Sequence, residues 1–268
     1  MPAPDRPRRA GRPVRRAFVV AVALAAVWAG IAYLLAPAIW KRIDGGAATA
    51  ARVALSVTAQ GIPGDPINLA MLGGRASLFC AMAKAGWRPA DPVTLRSSLR
   101  IVSSVLLHRA YAHAPVSPLF WSGKRQDFAF EKGVGGSAKL RHHVRFWETT
   151  RAGAAAFVGS ATFDRAVGVS HYTGQVTHHI GADVDSERDA LAVDLAKAGV
   201  GAKIGAVVGL GPTDARNGGG DPYSTDGAID VIRLDCAPPG AALAAPAPAP
   251  TKAGAPTTRL RDWLAGAR

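Results

Sequence analysis

The first feature of the hydrophobic pattern is an apolar run near the start of the chain. Residues 17–40 read AFVVAVALAAVWAGIAYLLAPAIW and carry no charged side chain. As a helix, this run rises about 36 Å at about 1.5 Å per residue, which is enough to cross a hydrocarbon core of roughly 30 Å. Trp28, Tyr33 and Trp40 have amphipathic rings that suit a membrane interface. The pattern therefore predicts a transmembrane anchor over residues 17–40.

The charges on the two sides of this run are unequal. Residues 1–16 carry six arginines and one aspartate, whereas the spacer at 41–52 carries three cations and one acid. Because the more positive flank stays in the cytoplasm, a cytoplasmic N-terminus and an extracytoplasmic C-terminal domain are predicted. The alternative is a cleaved signal peptide ending at residues 36–38, or a twin-arginine signal that begins at residues 15–16. Either signal would also export the domain.

After residue 53 the apolar positions follow helical spacing in some segments and strand spacing in others. Helical spacing predicts helices at 75–86, 90–108 and 185–199, the last with Asp185 as its N-cap. Alternation and β-branched content predict strands at 64–72, 124–132, 139–148, 156–164, 202–211 and 228–235. The glycine-rich residues 132–137 predict a hairpin. We therefore predict an α+β domain over residues 53–236, a mixed, largely antiparallel sheet with about three helices.

The C-terminal region changes composition after Cys236. Residues 237–256 are rich in proline and alanine and predict an extended linker without a core. The short basic tail at 257–268 places Leu260, Trp263 and Leu264 on one side of a short helix. Because so short a helix is marginal alone, we expect it to fray or to touch the membrane surface.

The distribution of net charge along the chain decides which class of binding partner we expect. Of the formal net charge of +13, residues 1–16 hold +5 and residues 237–268 hold +3. The remaining excess is mild and spread over the domain, whereas nucleic-acid binding needs a concentrated basic face. We therefore expect no nucleic-acid partner, and a membrane partner instead, either an anionic lipid or a multi-helix membrane protein.

The two cysteines leave two interpretations open. An oxidising compartment allows Cys80 and Cys236 to form a disulfide. Two residues alone do not establish the geometry that a disulfide requires, so two separately buried thiols are the alternative.

The histidines cluster in the strand region. Along residues 139–148, alternation places His142 on the apolar side of the strand. His143 shares the other side with two arginines, opposite Asp127 and Glu131 of the neighbouring strand, so cross-strand charge pairs are expected there.

These strands supply one candidate site. Adjacent histidines on a strand point to opposite faces, so a single site takes one from each pair, His142 and His178. With His171 or Asp164 as a third ligand and a water molecule, they match a zinc site, although no HExxH pattern accompanies them. The predicted ligand-binding residues are His142, His171, His178, Asp164 and Arg145, with His142 and His178 as metal ligands. We expect no cofactor, with zinc as the alternative.

Five segments agree in order with one known family. They are GDPINLAMLG (64–73), the long stretch from AGWRPADPV to RQDFAFEK (85–132), RHHVRFW (141–147), ATFDRAVGVSHYTGQVTHHI (161–180) and DVDSERD (183–189). Together they resemble the LssY C-terminal domain family, over residues 53–236. In that family the domain is often joined to multi-helix membrane regions, and its own activity is not established. The resemblance implies an envelope-associated domain. A PAP2-type PSGH element is absent from the sequence, so lipid phosphatase chemistry is not implied.

Together these features favour a membrane-anchored, extracytoplasmic domain in the cell envelope. We expect it to be an accessory or binding domain and not an enzyme. Its expected target is a membrane protein or a phosphorylated lipid. A metal-assisted hydrolase that uses the histidine-rich strands is the alternative, and a purely structural envelope role is a third.

Overall fold

The computed structural model describes residues 11–43, 54–90, 117–135, 140–209, 211–237 and 258–266. The helix predicted at 90–108 lies outside the described residues. The helices are α1 (Gly11–Gly30), α2 (Ala36–Ile43), α3 (Arg75–Lys84), α4 (Val184–Lys197) and α5 (Leu260–Leu264), with a π-helical turn (Ile31–Leu35) between α1 and α2. The strands are β1 (Leu55–Thr58), β2 (Pro63–Pro66), β3 (Leu69–Leu72), β4 (Arg88–Pro89), β5 (Leu119–Trp121), β6 (Lys124–Arg125), β7 (Phe128–Gly133), β8 (Arg141–Arg151), β9 (Ala154–Val169), β10 (Val176–Ile180), β11 (Gly201–Val208), β12 (Asp214–Arg216), β13 (Pro222–Ser224) and β14 (Ala228–Leu234).

The apolar N-terminal region forms one continuous helix from α1 through α2. Its segment Pro13–Trp40 is long and apolar enough to cross a membrane. Pro37 has no N–H group, and in a regular α-helix its ring would crowd the carbonyl four residues earlier. The π-helical turn just before it widens the helix, and the Ala36 N–H donates to the Ile31 carbonyl, five residues back. We attribute the π-turn to this proline.

The main sheet has eight strands in the order β11-β14-β3-β9-β8-β7-β4, with β10 pairing with the far half of β9. Only β14 and β3 run parallel, and every other pair in this sheet is antiparallel. A second sheet has the order β2-β1-β5-β6, and β12 pairs with β13. The predicted α+β class, with a mixed and largely antiparallel sheet, is confirmed.

Each face of the main sheet has its own core. On one face, α3 and α4 cover the sheet, and their Leu78, Met82 and Leu191 pack against side chains such as Phe146. On the other face, residues of the second sheet and of α5 cover side chains such as Trp147. The domain is therefore a three-layer structure with the main sheet in the middle.

The two longest strands are joined by a tight turn. β8 and β9 pair over their length, from Arg141 opposite Asp164 to Arg151 opposite Ala154. The two residues between them, Ala152 and Gly153, have φ of +48° and +82°. Positive φ at both central residues defines a type I′ turn, whose twist matches that of the strands. This turn sets the register that aligns the charged side chains of the two strands.

Two expectations about the helices need correction. The N-cap of α4 is Asp183, not Asp185, because the Asp183 carboxylate accepts hydrogen bonds from the N–H groups of Asp185 and Ser186. The C-terminal tail does not fray, because the side chains of Leu260 and Trp263 in α5 are buried in the second core. Tertiary packing thus supplies the stability that a helix of this length lacks alone.

Cys80 and Cys236 form a disulfide that joins α3 to the segment after β14, across 156 residues of sequence. The structure thus decides between the two interpretations of the cysteines. The disulfide closes a long loop across the whole domain, so in the chain-entropy treatment it constrains the unfolded state strongly.

We predict that replacing both cysteines, Cys80→Ser with Cys236→Ser, lowers the free energy of unfolding by up to about 5 kcal/mol, because the unfolded chain gains the entropy of a loop of this length. Urea unfolding of the full chain in detergent, with and without reductant, measures this. Reductant should lower the midpoint of the wild type and leave that of the double variant unchanged. An identical wild-type midpoint in both conditions would contradict the prediction.

Candidate functional site

Strand β8 presents its two adjacent histidines to different layers. Nδ1 of His142 lies 2.8 and 2.9 Å from the two carboxylate oxygens of Glu187 on α4. His142 also packs beside Phe163, with ring centroids 5.1 Å apart. His143 is on the opposite face and pairs through its backbone with Glu131 of β7. The predicted division of these histidines between the two faces of the sheet is confirmed.

A row of buried charges occupies the face that carries His143. Arg141 donates from Nε to Asp164 Oδ2 at 2.7 Å and from Nη1 to Glu131 Oε2 at 2.8 Å. Arg145 donates from Nη1 to Asp65 Oδ2 at 2.7 Å. We call the six residues of this network the buried charge row: Asp65, Glu131, Arg141, His143, Arg145 and Asp164. None of them is more than 6% exposed.

His143 links the two halves of the row. Its Nε2 lies 2.7 Å from Arg145 Nη1. Because a guanidinium only donates, Nε2 accepts, and the ring proton therefore resides on Nδ1. Nδ1 lies 3.0 Å from Asp164 Oδ1. The imidazole thus lies between Asp164 and Arg145.

The charges of the row hold two groups in definite protonation states. Burial alone would raise the pKa of Asp164, but the adjacent His143 and Arg141 outweigh it and hold that pKa well below its usual range. Burial lowers the pKa of His178 on β10 to about 4, with the charge of Asp164 opposing the shift and that of Arg141 adding to it. At neutral pH, Asp164 is therefore ionised and His178 is uncharged.

A second cluster lies at the other end of the histidine-rich region. His171 follows β9, His179 is on β10, and Asp221 lies between β12 and β13. One ligand-type atom from each side chain lies within 4.8 Å of the other two. His179 Nδ1 is 2.8 Å from Asp221 Oδ1, and the two imidazole centroids are 5.4 Å apart. We call this group the His171–His179–Asp221 cluster.

The turn before Asp221 is held by its own hydrogen bonds. Asn217 Oδ1 accepts from the N–H groups of Gly219 and Asp221, both at 3.0 Å. The Gly219 carbonyl accepts from the N–H of His171 at 2.8 Å. Asp221 Oδ2 accepts from the N–H of Ile180 at 3.1 Å. The Gly-rich segment before Asp221 is therefore an ordered turn, tied to both ends of the β9–β10 region.

The predicted site residues occupy three different places. Asp164 and Arg145 are buried within the charge row, where protein side chains already bind them. His178 interacts electrostatically with the same row. His142 is bound to Glu187 across the sheet, so the described contacts do not join it to His178. His171 alone lies in the cluster of metal-binding side chains.

Two members of that cluster were missed by sequence reasoning. Strand alternation favours His178 over its neighbour His179, and Asp221 lies 42 residues from His179 in a segment interpreted as a turn. The only signals for these two residues in the sequence were the adjacent His178 and His179 and the position of Asp221 directly after three glycines. Chemically, two imidazoles and a carboxylate can hold a metal ion, whereas the side chains of the buried charge row are shielded from solvent and already bind one another.

The tip of the β9–β10 hairpin, residues 170–175, lies against the apolar helix. Trp40 Nε1 donates to the Tyr172 carbonyl at 3.1 Å, and the two rings are 5.0 Å apart. Tyr33 Oη accepts from the N–H of Val176 at 3.3 Å. Ala32 is only 1% exposed, and a Cβ built on Gly174 would lie 3.8 Å from its Cβ. The domain therefore contacts the C-terminal half of the helix.

A comparison with known families identifies the family of this α+β domain. The sequence model of the family described as LssY C-terminus matches residues 49–229. Because this match covers more than half of the chain, the protein belongs to the LssY C-terminus family. No curated protein and no solved structure matches the chain.

We predict that acid destabilises the domain through His178. Its pKa is about 4 in the folded state and about 6.5 in an unfolded chain. Between these values the unfolded state binds more protons, so the free energy of unfolding falls as the pH drops from about 6.5 to about 4, by at most about 3 kcal/mol. His178→Gln should remove this part of the acid sensitivity in urea unfolding across that range.

The matched control for this measurement is His171→Gln, which removes an exposed imidazole outside the buried charge row. We expect it to keep the pH profile of the wild type. Parallel profiles for the wild type and His178→Gln would contradict the assignment of the acid sensitivity to His178.

Proposed function

We propose that this protein is a single-pass membrane protein whose domain stands on the extracytoplasmic surface and binds the phosphorylated headgroup of an anionic lipid. The observation that carries the proposal is the contact of the β9–β10 hairpin tip with the C-terminal half of the apolar helix. This contact supports a domain seated at the membrane surface rather than one suspended from a free linker.

The length of the helix agrees with this arrangement. From Ala17, which follows the last of the N-terminal arginines, to Trp40 the apolar run rises about 36 Å at about 1.5 Å per residue, enough to cross a hydrocarbon core of roughly 30 Å. The hairpin contacts one side of this helix at Trp28, Ala32 and Trp40. Trp40, at the end of the run, then lies where an amphipathic ring is favoured, at the outer interface. The hairpin tip therefore falls at the level of the lipid headgroups.

The surface of the hairpin also suits a membrane. Val169 and Val176 pair across the two strands and are 51% and 54% exposed. Moving such half-exposed side chains out of water contributes on the order of 1 kcal/mol each. Because the hairpin is already attached to the helix, the free energy gained by burying the two valines adds to that gained by inserting the helix into the membrane. The pair thus supports a hairpin that dips into the outer leaflet.

The arginines near the base of the hairpin supply the preference for a phosphorylated headgroup. Arg165 donates from Nε to the Ile180 carbonyl, and more than half of its side chain is exposed. Arg216 donates from Nη1 to the Gly220 carbonyl and is also exposed. Each guanidinium is thus fixed on one side by the backbone. The planar guanidinium is the side chain best matched to phosphate oxygens.

Two features favour the extracytoplasmic side. The arginines of residues 1–16 precede the apolar run at 17–40, and positively charged flanks stay in the cytoplasm. The disulfide between Cys80 and Cys236 requires an oxidising compartment to form and persist. Both features support a domain outside the cytoplasmic membrane.

The proposal predicts which molecules lie beside Val176. A photo-crosslinking amino acid at this position, in the full chain in nanodiscs of mixed anionic and zwitterionic lipid, should form lipid adducts enriched in the anionic lipid over its bulk share. Val193 on α4 is the matched control, because it is a similarly exposed valine on another part of the domain. Mass spectrometry of the adducts gives the ratio.

A second comparison tests the role of the arginines. Arg165→Gln combined with Arg216→Gln should return the lipid adducts at position 176 to the bulk composition without abolishing them. Bulk composition in the parent chain, or equal lipid labelling from positions 176 and 193, would contradict the proposal. Labelling of a protein instead of a lipid in native membranes would favour a membrane-protein partner and would also contradict it.

A further inference from the structure

We propose that His171, His179 and Asp221 bind one divalent transition-metal ion of the zinc type. The proposal goes beyond headgroup binding and stands on the geometry of the cluster. One ligand-type atom from each residue lies within 4.8 Å of the other two. Two imidazoles, one carboxylate and a water molecule form a set that suits zinc, whereas magnesium and calcium prefer oxygen ligands alone.

The spacing of the three groups fits an ion among them. Bonds of about 2.1 Å in a tetrahedral site place the ligand atoms about 3.4 Å apart. His179 Nδ1 and Asp221 Oδ1 are 2.8 Å apart, so they open slightly when an ion enters. The ion takes the place of the proton that these two atoms share. His171 is exposed, and it therefore needs only a side-chain rotation to complete the set.

Two glycines leave the space that the imidazole rings occupy. A Cβ at Gly168 would lie 2.4 Å from His179 Nε2. A Cβ at Gly220 would lie 2.7 Å from the His171 Cβ, and Gly220 has a φ of +87° that favours glycine. Larger residues at either position would displace a ligand. The backbone around the cluster is thus shaped to hold both rings close to Asp221.

The carboxylate is oriented before any ion binds. Asp221 is 1% exposed, and the N–H of Ile180 binds Oδ2, which leaves Oδ1 directed at His179. The Asn217 side chain fixes the backbone of Asp221 from the other side. Hydrogen bonds of this kind around a ligand raise metal affinity by holding it in position. Arg165 Nη2 lies 3.7 Å from Oδ1, farther than His179 Nδ1 at 2.8 Å, and its guanidinium is bound through Nε to the Ile180 carbonyl.

The test is a titration of the full chain with zinc. The chain is purified in detergent through a tag without histidine, stripped with a chelator and titrated in competition with a chromogenic chelator. We expect one ion per chain, and at least tenfold weaker binding for His171→Ala and for Asp221→Asn. His142→Ala is the matched control, since it removes a histidine that is bound to Glu187 and lies outside the cluster, and it should bind zinc as the wild type does.

The exposed position of His171 keeps the test independent of folding, and the thermal midpoint of each variant confirms this. Failure of the wild type to bind zinc would overturn the proposal. Unchanged affinity in both cluster variants, or an equal loss in His142→Ala, would also overturn it. None of these results depends on lipid, so failure here is distinguishable from failure of the lipid-binding proposal.

Discussion

The position of the whole domain relative to a membrane depends on one contact, between the tip of the β9–β10 hairpin and the apolar helix. A helix that can cross a membrane acts on its own only as a tether for the domain. The hydrogen bonds from Trp40 and to Tyr33, and the close approach of Gly174 to Ala32, add a second attachment. Two attachments restrict rotation of the domain about the helix, and in our proposal the surface that they fix faces the bilayer. That surface carries the exposed valines, the arginines and the His171–His179–Asp221 cluster.

Strand β9 connects this surface to the core. Its first part pairs with β8 up to Asp164, inside the buried charge row. At Arg165 the register with β10 shifts, and the strand continues into the hairpin. Burying six ionisable side chains costs desolvation, which their mutual hydrogen bonds offset only in one arrangement. We infer that the row specifies the register of β8 and β9 and thereby the direction of the hairpin.

Local patterns in the sequence predicted the parts that depend on near neighbours. The apolar helix, the sheet class and the division of His142 from His143 all follow from alternation or run length. The candidate site could not be predicted from such local patterns, because the residues that form it lie far apart in the sequence. Arg145 binds Asp65, 80 residues away, and Asp221 meets His179 through a separate small sheet. The buried tail helix was misjudged for the same reason, since its stability comes from a core that its own sequence does not reveal.

The most direct test is disulfide trapping of the hairpin on the helix. Ala32→Cys with Gly174→Cys places two Cβ atoms about 3.8 Å apart, the usual separation in a disulfide. After mild oxidation of native membranes the chain is denatured in detergent, and both new thiols should then resist a maleimide reagent until reductant is added. Ala32→Cys with Val193→Cys, on α4, should stay reactive throughout. Free reactivity of the first pair after oxidation would contradict a domain seated on its membrane helix.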